Sequence, residues 1–257
     1  MRTVVVTGSA SGIGKATAEI LHGRGDRVVG VDIHDADVVA DLSVTTGRQE
    51  MVQQVEALTG GRIDAIVANA GLAHPSPTTV AVNFFGAVAT LDGLRPLLRH
   101  SDAPRAVATC SMASLMPVDD ELVSLLLAGV EHASLERAAK LVEADGGRTI
   151  YSSTKRALAL WLRSSAPSAA WAGAGIPLNA IGPGIVSTPM VRDMIATPES
   201  KAALLEQVPM PLNGIMTADV PAKLLVWLVS EENSHLCGQV VFVDGGSDAV
   251  MRGQSTW

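Results

Sequence analysis

Tyr151 and Lys155 stand four positions apart, a spacing that places a phenol and an ammonium on one face of a helix. A free phenol ionises near pH ~10, too high for a base near neutrality, and a neighbouring ammonium favours the phenolate and lowers that value. Such a pair can take a proton from an alcohol oxygen or return one to a carbonyl. Tyr151 is the only tyrosine in the chain. The same spacing arises by chance on exposed helices, so its meaning depends on what accompanies it.

What accompanies it is a glycine-rich turn. Gly8, Gly12 and Gly14, with Ser11 and Ile13 between them, follow a β-branched run and open a helical pattern. Bare backbone there lets a pyrophosphate approach the N–H groups of a helix N-terminus, which implies a dinucleotide. The plainer reading is a tight turn without a ligand. Asp32 ends the next strand pattern, 18 residues past Gly14, where a carboxylate accepts from ribose hydroxyls and repels a 2′-phosphate. As a strand-end cap it would have no such role. Ile33 follows, and no Arg or Lys occupies positions 9–11 or 33–34, so NAD is expected rather than NADP. Asp41 and Leu42 end the third strand pattern and can meet an adenine ring. Asn69, Ala70 and Gly71 end the fourth and suit close approach of backbone to a cofactor. Pro183, Gly184, Val186 and Thr188 follow the sixth, within reach of a nicotinamide amide.

Ser111 lies just past the fifth strand pattern, where its hydroxyl can hold a substrate oxygen beside Tyr151; Ser114 competes with it, and a serine there is also a common turn cap. Asn83 is a poor helix former at an interior position. It either bridges through water towards Lys155 or bends a core helix. Met112, Met190 and Met194 are the candidate substrate contacts beside Ser111 and Tyr151. With Val191, Ile195, Leu204, Leu205, Met210, Leu212 and Met216 they offer adaptable apolar surface, better suited to a bulky hydrophobic ketone than to a sugar or an acidic metabolite. The same residues serve equally as the core of a short helix. Asp119, Asp120 and Glu121 favour a helix N-terminus, and an amine on the substrate would give them a second use.

The elements that must position these groups alternate along the chain. Strand patterns cover residues 3–6, 27–31, 38–40, 63–68, 105–109, 176–181 and 239–243. Helical patterns cover 12–23, 45–58, 79–99, 151–171 and 219–230. This is the α/β class: one Rossmann-like, doubly wound domain over residues 1–257, with a seven-stranded parallel sheet. Two segments exceed simple alternation, a helical insertion at 115–150 and a Met- and Pro-rich substrate loop at 185–216. Both leave the carboxyl ends of strands, the edge where such sheets bind ligands.

Composition narrows the class. Hydrophobic residues make up 47% and charged ones 18% of 257 residues, enough to bury one large core. The net charge is −7 with Lys and Arg scattered, which argues against nucleic acid. No apolar run approaches a bilayer span and no signal-peptide core precedes the glycines, so a soluble cytoplasmic protein is expected. Cys110 and Cys237 lack metal-ligand or redox spacing and are expected to be reduced; no metal is expected. A GxSxG elbow for a serine hydrolase is absent. The alternative from another class is a silent dinucleotide-sensing interaction protein, which loss of Tyr151 or Lys155 would favour; both are present.

In order, these motifs (TGxxxGIG, NAG, an Asn, a Ser, YxxxK and PG) resemble the short-chain dehydrogenase/reductase family over essentially the whole chain. The resemblance implies an NAD-dependent alcohol dehydrogenase or carbonyl reductase. Asn83, Ser111, Tyr151 and Lys155 would form its catalytic group, with a proton relay through Asn83. Hydride would transfer to the pro-S face of the nicotinamide, whose carboxamide Thr188 would hold. Ser111 and Tyr151 are 40 residues apart, much farther than in most of the family. That feature, with VGVDIHDADVVADLS and VDGGSDAVMR, is similar to the bacterial 3α-hydroxysteroid dehydrogenase/carbonyl reductase subgroup. There the inserted helices obstruct the usual pairing face, implying a homodimer rather than a homotetramer.

Overall fold

The computed structural model describes residues 1–256. Its centre is β1 (Thr3–Thr7), whose Val4, Val5 and Val6 are fully buried, as expected of a parallel strand covered on both faces. The remaining sheet strands are β2 (Arg27–Asp32), β3 (Val38–Val39), β4 (Ala65–Ala68), β5 (Arg105–Thr109), β6 (Leu178–Pro183) and, after the two-residue β7 (Val186–Ser187) and β8 (Met216–Thr217), β9 (Val240–Val243). Seven of them form one parallel sheet in the order β3-β2-β1-β4-β5-β6-β9. The order reverses between β1 and β4, which opens a crevice at the carboxyl edge.

Side chains alternate across the sheet. Val5 and Ile66 join one apolar layer with Leu91, Leu158 and Leu162, while Val4, Val6 and Val67 join the opposite layer with Leu21, Leu225 and Val229. The first layer rests on α2 (Thr45–Thr59), α4 (Ala87–Leu94) and α7 (Arg148–Ser165), the second on α1 (Gly12–Gly23) and α9 (Asp219–Leu228). Between α2 and α4 lies the one-turn α3 (Pro77–Val80); α5 (Asp120–Leu127) and α6 (Glu131–Glu143) precede α7, α8 (Pro198–Gln207) precedes β8, and α10 (Ser247–Arg252) closes the chain's ordered elements.

Four local departures from the periodicity have physical causes. The pattern over 79–99 is not one helix: α3 is capped by Ser76 and runs into a π-helical turn (Ala81–Gly86) before α4. Pro96, which lacks an N–H, then opens a 3₁₀ segment (Arg95–His100). The helix expected over 151–171 starts at Arg148 and stops at Ser165: Ala166 still has helical backbone and donates to Leu162 O, but Pro167 has no N–H to continue the ladder. β6 starts at Leu178, just after Pro177, which cannot donate to the ladder. The β7–β8 ladder inside the loop segment pairs only two residues on each strand, too short to give a period in the sequence.

The helical insertion is α5 and α6, and it is tied down by charge. Asp119 caps α5 by accepting from Leu122 N at 2.8 Å and takes both a 3.0 Å and a 2.6 Å bond from the Arg137 guanidinium on α6. Arg137 also reaches Glu121 at 3.0 Å, and Glu131 on α6 pairs with Arg48 of α2 at 2.6 Å. Among the described residues no helix is long and apolar enough to cross a membrane, and no cluster of three potential metal ligands occurs. Both cysteines are free.

Candidate active site

The glycine turn is built as backbone geometry demands. Gly8 and Gly12 have φ of 70° and 53°, the left-handed region that favours glycine. A Cβ on Gly14 would lie 2.0 Å from the Gly8 carbonyl oxygen, so only a bare α-carbon lets α1 close onto β1. A Cβ on Gly12 would meet the Thr188 methyl at 3.2 Å, which puts the segment after β6 directly across from the turn.

Asn69 locks three strand ends together. Its N–H and that of Ala70 both donate to Thr7 Oγ1 at 3.0 Å, its Nδ2 donates to Thr7 O at 3.2 Å, and its Oδ1 accepts from Thr109 Oγ1 at 3.0 Å. At the end of β2, Asp32 accepts from Ala10 N at 2.9 Å and Ile33 N at 2.7 Å. The cap geometry is therefore present, and an ionised carboxylate keeps further acceptor capacity for hydroxyls.

A cleft of about 560 Å³ runs along the carboxyl edge. Gly8, Ser11, Gly12 and Ile13 form one end with Asn69, Ala70 and Gly71; Ser111, Met112, Tyr151 and Lys155 line its middle; Pro183, Gly184, Val186, Thr188, Met190 and Met194 wall the other side. Six expected site residues do not line it. Gly14 packs beneath the turn, Asp32 and Ile33 sit beyond it, and Asp41, whose Oδ1 accepts from Ser43 N at 2.8 Å, and buried Leu42 lie at the far end past β3. Asn83 is fully buried behind Gly71. Its Oδ1 accepts from Leu72 N at 2.7 Å, and its Nδ2 donates to Leu72 O at 2.9 Å and Thr154 Oγ1 at 3.2 Å.

The structure bears on the alternatives at Ser111 and in the loop, and the turn-cap reading of Ser111 is met, since its Oγ accepts from Ala113 N at 3.1 Å. Ser111 lines the cleft, while Ser114 is buried outside it with its carbonyl accepting from Arg156. The loop residues divide: Met112, Ile185, Val208 and Met210 form a small core, and Leu212 faces solvent. Met190 and Met194 are about half exposed (45% and 50%) and line the cleft. The second use considered for Asp119, Asp120 and Glu121 is corrected: none lines the cleft, and Asp119 and Glu121 are bound to Arg137.

Tyr151 and Lys155 do meet. Lys155 Nζ lies 5.8 Å from the centre of the Tyr151 ring and donates to the Thr109 carbonyl at 2.8 Å. The expected lowering of the phenol by the ammonium is not what this protein shows. Burial holds the Tyr151 phenol above its ordinary value, against a weaker pull from the Ser111 hydroxyl towards the phenolate. Burial likewise pushes the Lys155 ammonium down to about 8. The physical reason is that desolvation penalises both charged forms, and the ammonium hydrogen-bonds a carbonyl rather than the phenol. The adjacent Cys110 thiol is pushed up to about 12 by its own burial, so it is inert beside them.

Sequence reasoning missed Thr109, which holds Lys155 through its carbonyl and Asn69 through its hydroxyl. Its position at the end of β5 was the available signal. It also missed Arg148, which opens α7 and lines the cleft mouth.

Residues 8–248 match the family profile described as enoyl-(acyl carrier protein) reductase. Over 256 residues the chain is 34% identical to 3-alpha-hydroxysteroid dehydrogenase/carbonyl reductase of Comamonas testosteroni, covering 98% of each chain. It is 29% identical to cis-4-hydroxycyclohexanecarboxylate dehydrogenase of Sinomonas cyclohexanicum, covering 97% of each. Its fold superposes on the crystal structure of 3-alpha-hydroxysteroid dehydrogenase from Pseudomonas sp. B-0831 complexed with NADH, at a TM-score of 0.89 and 37% identity over 98% of this chain and 99% of that one. The chain belongs to the short-chain dehydrogenase/reductase family and is an oxidoreductase of that family.

Proposed function

We propose that the protein is an NAD-dependent dehydrogenase interconverting a hydrophobic secondary alcohol, steroid-like or aryl, and its ketone. The observation that carries this is the convergence of Ser111, Tyr151 and Lys155 in one cleft that starts at the Gly8–Gly12 turn and is walled by Met190 and Met194. The residues fit a dinucleotide: the turn presents bare backbone with positive φ, Asn69 rigidifies it, and Asp32 offers a carboxylate with no cation at positions 9–11. Gly14 would seat the turn, Asp41 and Leu42 would face the adenine end, and Thr188 the carboxamide. The NADH complex of the Pseudomonas relative supports NAD over NADP. Bound there, the cofactor supplies the hydride acceptor for oxidation and the donor for reduction.

In this reading Tyr151 exchanges the proton on the substrate oxygen, Ser111 hydrogen-bonds that oxygen, and Lys155 holds the cofactor ribose. Because burial raises the phenol, Tyr151 is protonated in the free protein near neutrality, the form that donates to a ketone oxygen. Asn83 acts from behind: by gripping Leu72 it fixes the backbone at Gly71, against which a Cβ would sit 3.5 Å from Lys155 Nζ. The assembly we favour is a homodimer, since the subgroup resemblance implies that the inserted helices obstruct the usual pairing face, and here α5 packs along α7 and α6 along α3.

A panel of steroid, aryl, acyl and sugar alcohols, each offered NAD⁺ and NADP⁺, tests the reading. NADH formation with the steroid or aryl alcohols, at a kcat/KM for NAD⁺ at least about tenfold above that for NADP⁺, is expected. Turnover confined to sugars, or a preference for NADP⁺, contradicts it.

A further inference from the structure

Arg148 is the feature the proposed chemistry leaves unused. It opens α7 three residues before Tyr151, so the two share a helical face about one turn apart. It lines the cleft mouth with Gly147, Pro75 and Gln207, and its side chain is exposed. Its guanidinium makes no salt bridge and no hydrogen bond among the described residues. Lys155 is buried and bonded to Thr109 O, and of the insertion's acids Asp119 and Glu121 are held by Arg137 and Glu131 by Arg48, while exposed Asp145, three residues before Arg148, forms no salt bridge with it. No Asp or Glu lines the cleft, although acids outnumber bases across the chain, and the first turn of α7 carries none. The cleft therefore combines apolar walls, a proton-exchanging phenol at its middle and one unpaired fork of donors at its mouth.

From this juxtaposition we infer that Arg148 is a specificity-determining residue that pairs with a carboxylate on the substrate. The substrate class is then a hydrophobic hydroxy acid: an alicyclic or aromatic body carrying the secondary alcohol, with the carboxylate at the end away from the reacting carbon. A planar guanidinium suits a carboxylate because two parallel N–H groups can meet its two oxygens. The apolar walls would hold the body, so the acid contributes through orientation and capture. It departs from the expectation that the cleft suits neutral ketones better than acids, which considered only its apolar residues. It rests on the dehydrogenase reading above and narrows that reading's substrate.

The test compares matched alicyclic hydroxy acids with their primary amides, using NAD⁺ and three forms of the intact protein: wild type, Arg148→Gln and Arg148→Glu. The wild type should favour the acid over the amide by at least about tenfold in kcat/KM, mainly through KM. Added salt should shrink that ratio. Arg148→Gln should bring the ratio close to unity, and Arg148→Glu should invert it. A wild type that turns over both compounds without discrimination, or an Arg148→Gln form that keeps the wild-type ratio, overturns the inference and leaves the dehydrogenase reading standing. Turnover of neither compound, nor of any alcohol in the steroid and aryl panel, overturns both.

Discussion

Lys155 Nζ stands 5.8 Å from the centre of the Tyr151 ring with its nearest hydrogen-bond acceptor, the Thr109 carbonyl, at 2.8 Å. The ammonium is thus held in place by the end of β5, not by the phenol beside it. Two groups that both dislike burial as ions share one cleft, and the free protein bears the cost.

That cost is measurable. Lys155 ionises at about 8 in the fold against an ordinary 10.5. Between those two values the unfolded chain binds more protons than the folded one, so this group makes stability rise with pH through that window. Lys155→Met removes the buried charge but leaves the Thr109 carbonyl without its donor. The expected net effect at pH 7 is a gain of about 1–3 kcal/mol in the stability of the free protein, with loss of turnover. Urea unfolding at pH 7 and pH 9.5 checks it: the variant should be the more stable at pH 7, and the difference should narrow at the higher pH. Readings are best kept below pH ~10, where the raised Tyr151 begins to act with the opposite sign.

Gly14→Ala places a methyl where the Gly8 carbonyl oxygen lies 2.0 Å away and Asn69 Nδ2 2.6 Å away. Neither neighbour is a free side-chain end, since Asn69 is bonded to Thr7 and Thr109. The backbone of the turn must open. We expect destabilisation of about 2–4 kcal/mol by thermal or urea unfolding, and NADH affinity by fluorescence titration weakened at least about tenfold.

Glu131→Ala leaves the Arg48 guanidinium, whose side chain is only 7% exposed, without its carboxylate. The pair joins α6 to α2, so its loss should cost about 1–3 kcal/mol and loosen the inserted hairpin first. Hydrogen exchange should accelerate in α5 and α6 before the sheet. A uniform change across the molecule would show that the hairpin is not a separately anchored unit.

How much of this was legible in the sequence follows from how local each determinant is. The glycine turn was legible because left-handed backbone at Gly8 and Gly12 is a property of single residues. The Tyr151–Lys155 pairing was legible because four-residue spacing fixes a helical face. The seven parallel strands of a doubly wound sheet were legible from the alternation of strand and helix patterns. The π-helical turn around Asn83 was legible only as a helix-bending asparagine, because its bonds to Leu72 and Thr154 join segments that only packing brings together. The commitment of Asp119 to Arg137 joins residues on two different helices, and the direction of the Tyr151 shift depends on burial that only packing creates. Arg148 looked like any charged residue near a helix start; its place at the cleft mouth is set by where α7 docks on the sheet.

The most direct test of the central claim is the turnover of Tyr151→Phe with a hydrophobic alcohol and NAD⁺. Removing only the hydroxyl should leave folding and NADH affinity close to wild type while kcat falls by at least about a hundredfold. A Tyr151→Phe protein that binds NADH and oxidises the alcohol at the wild-type rate would contradict the assignment, because the proton would then have another carrier.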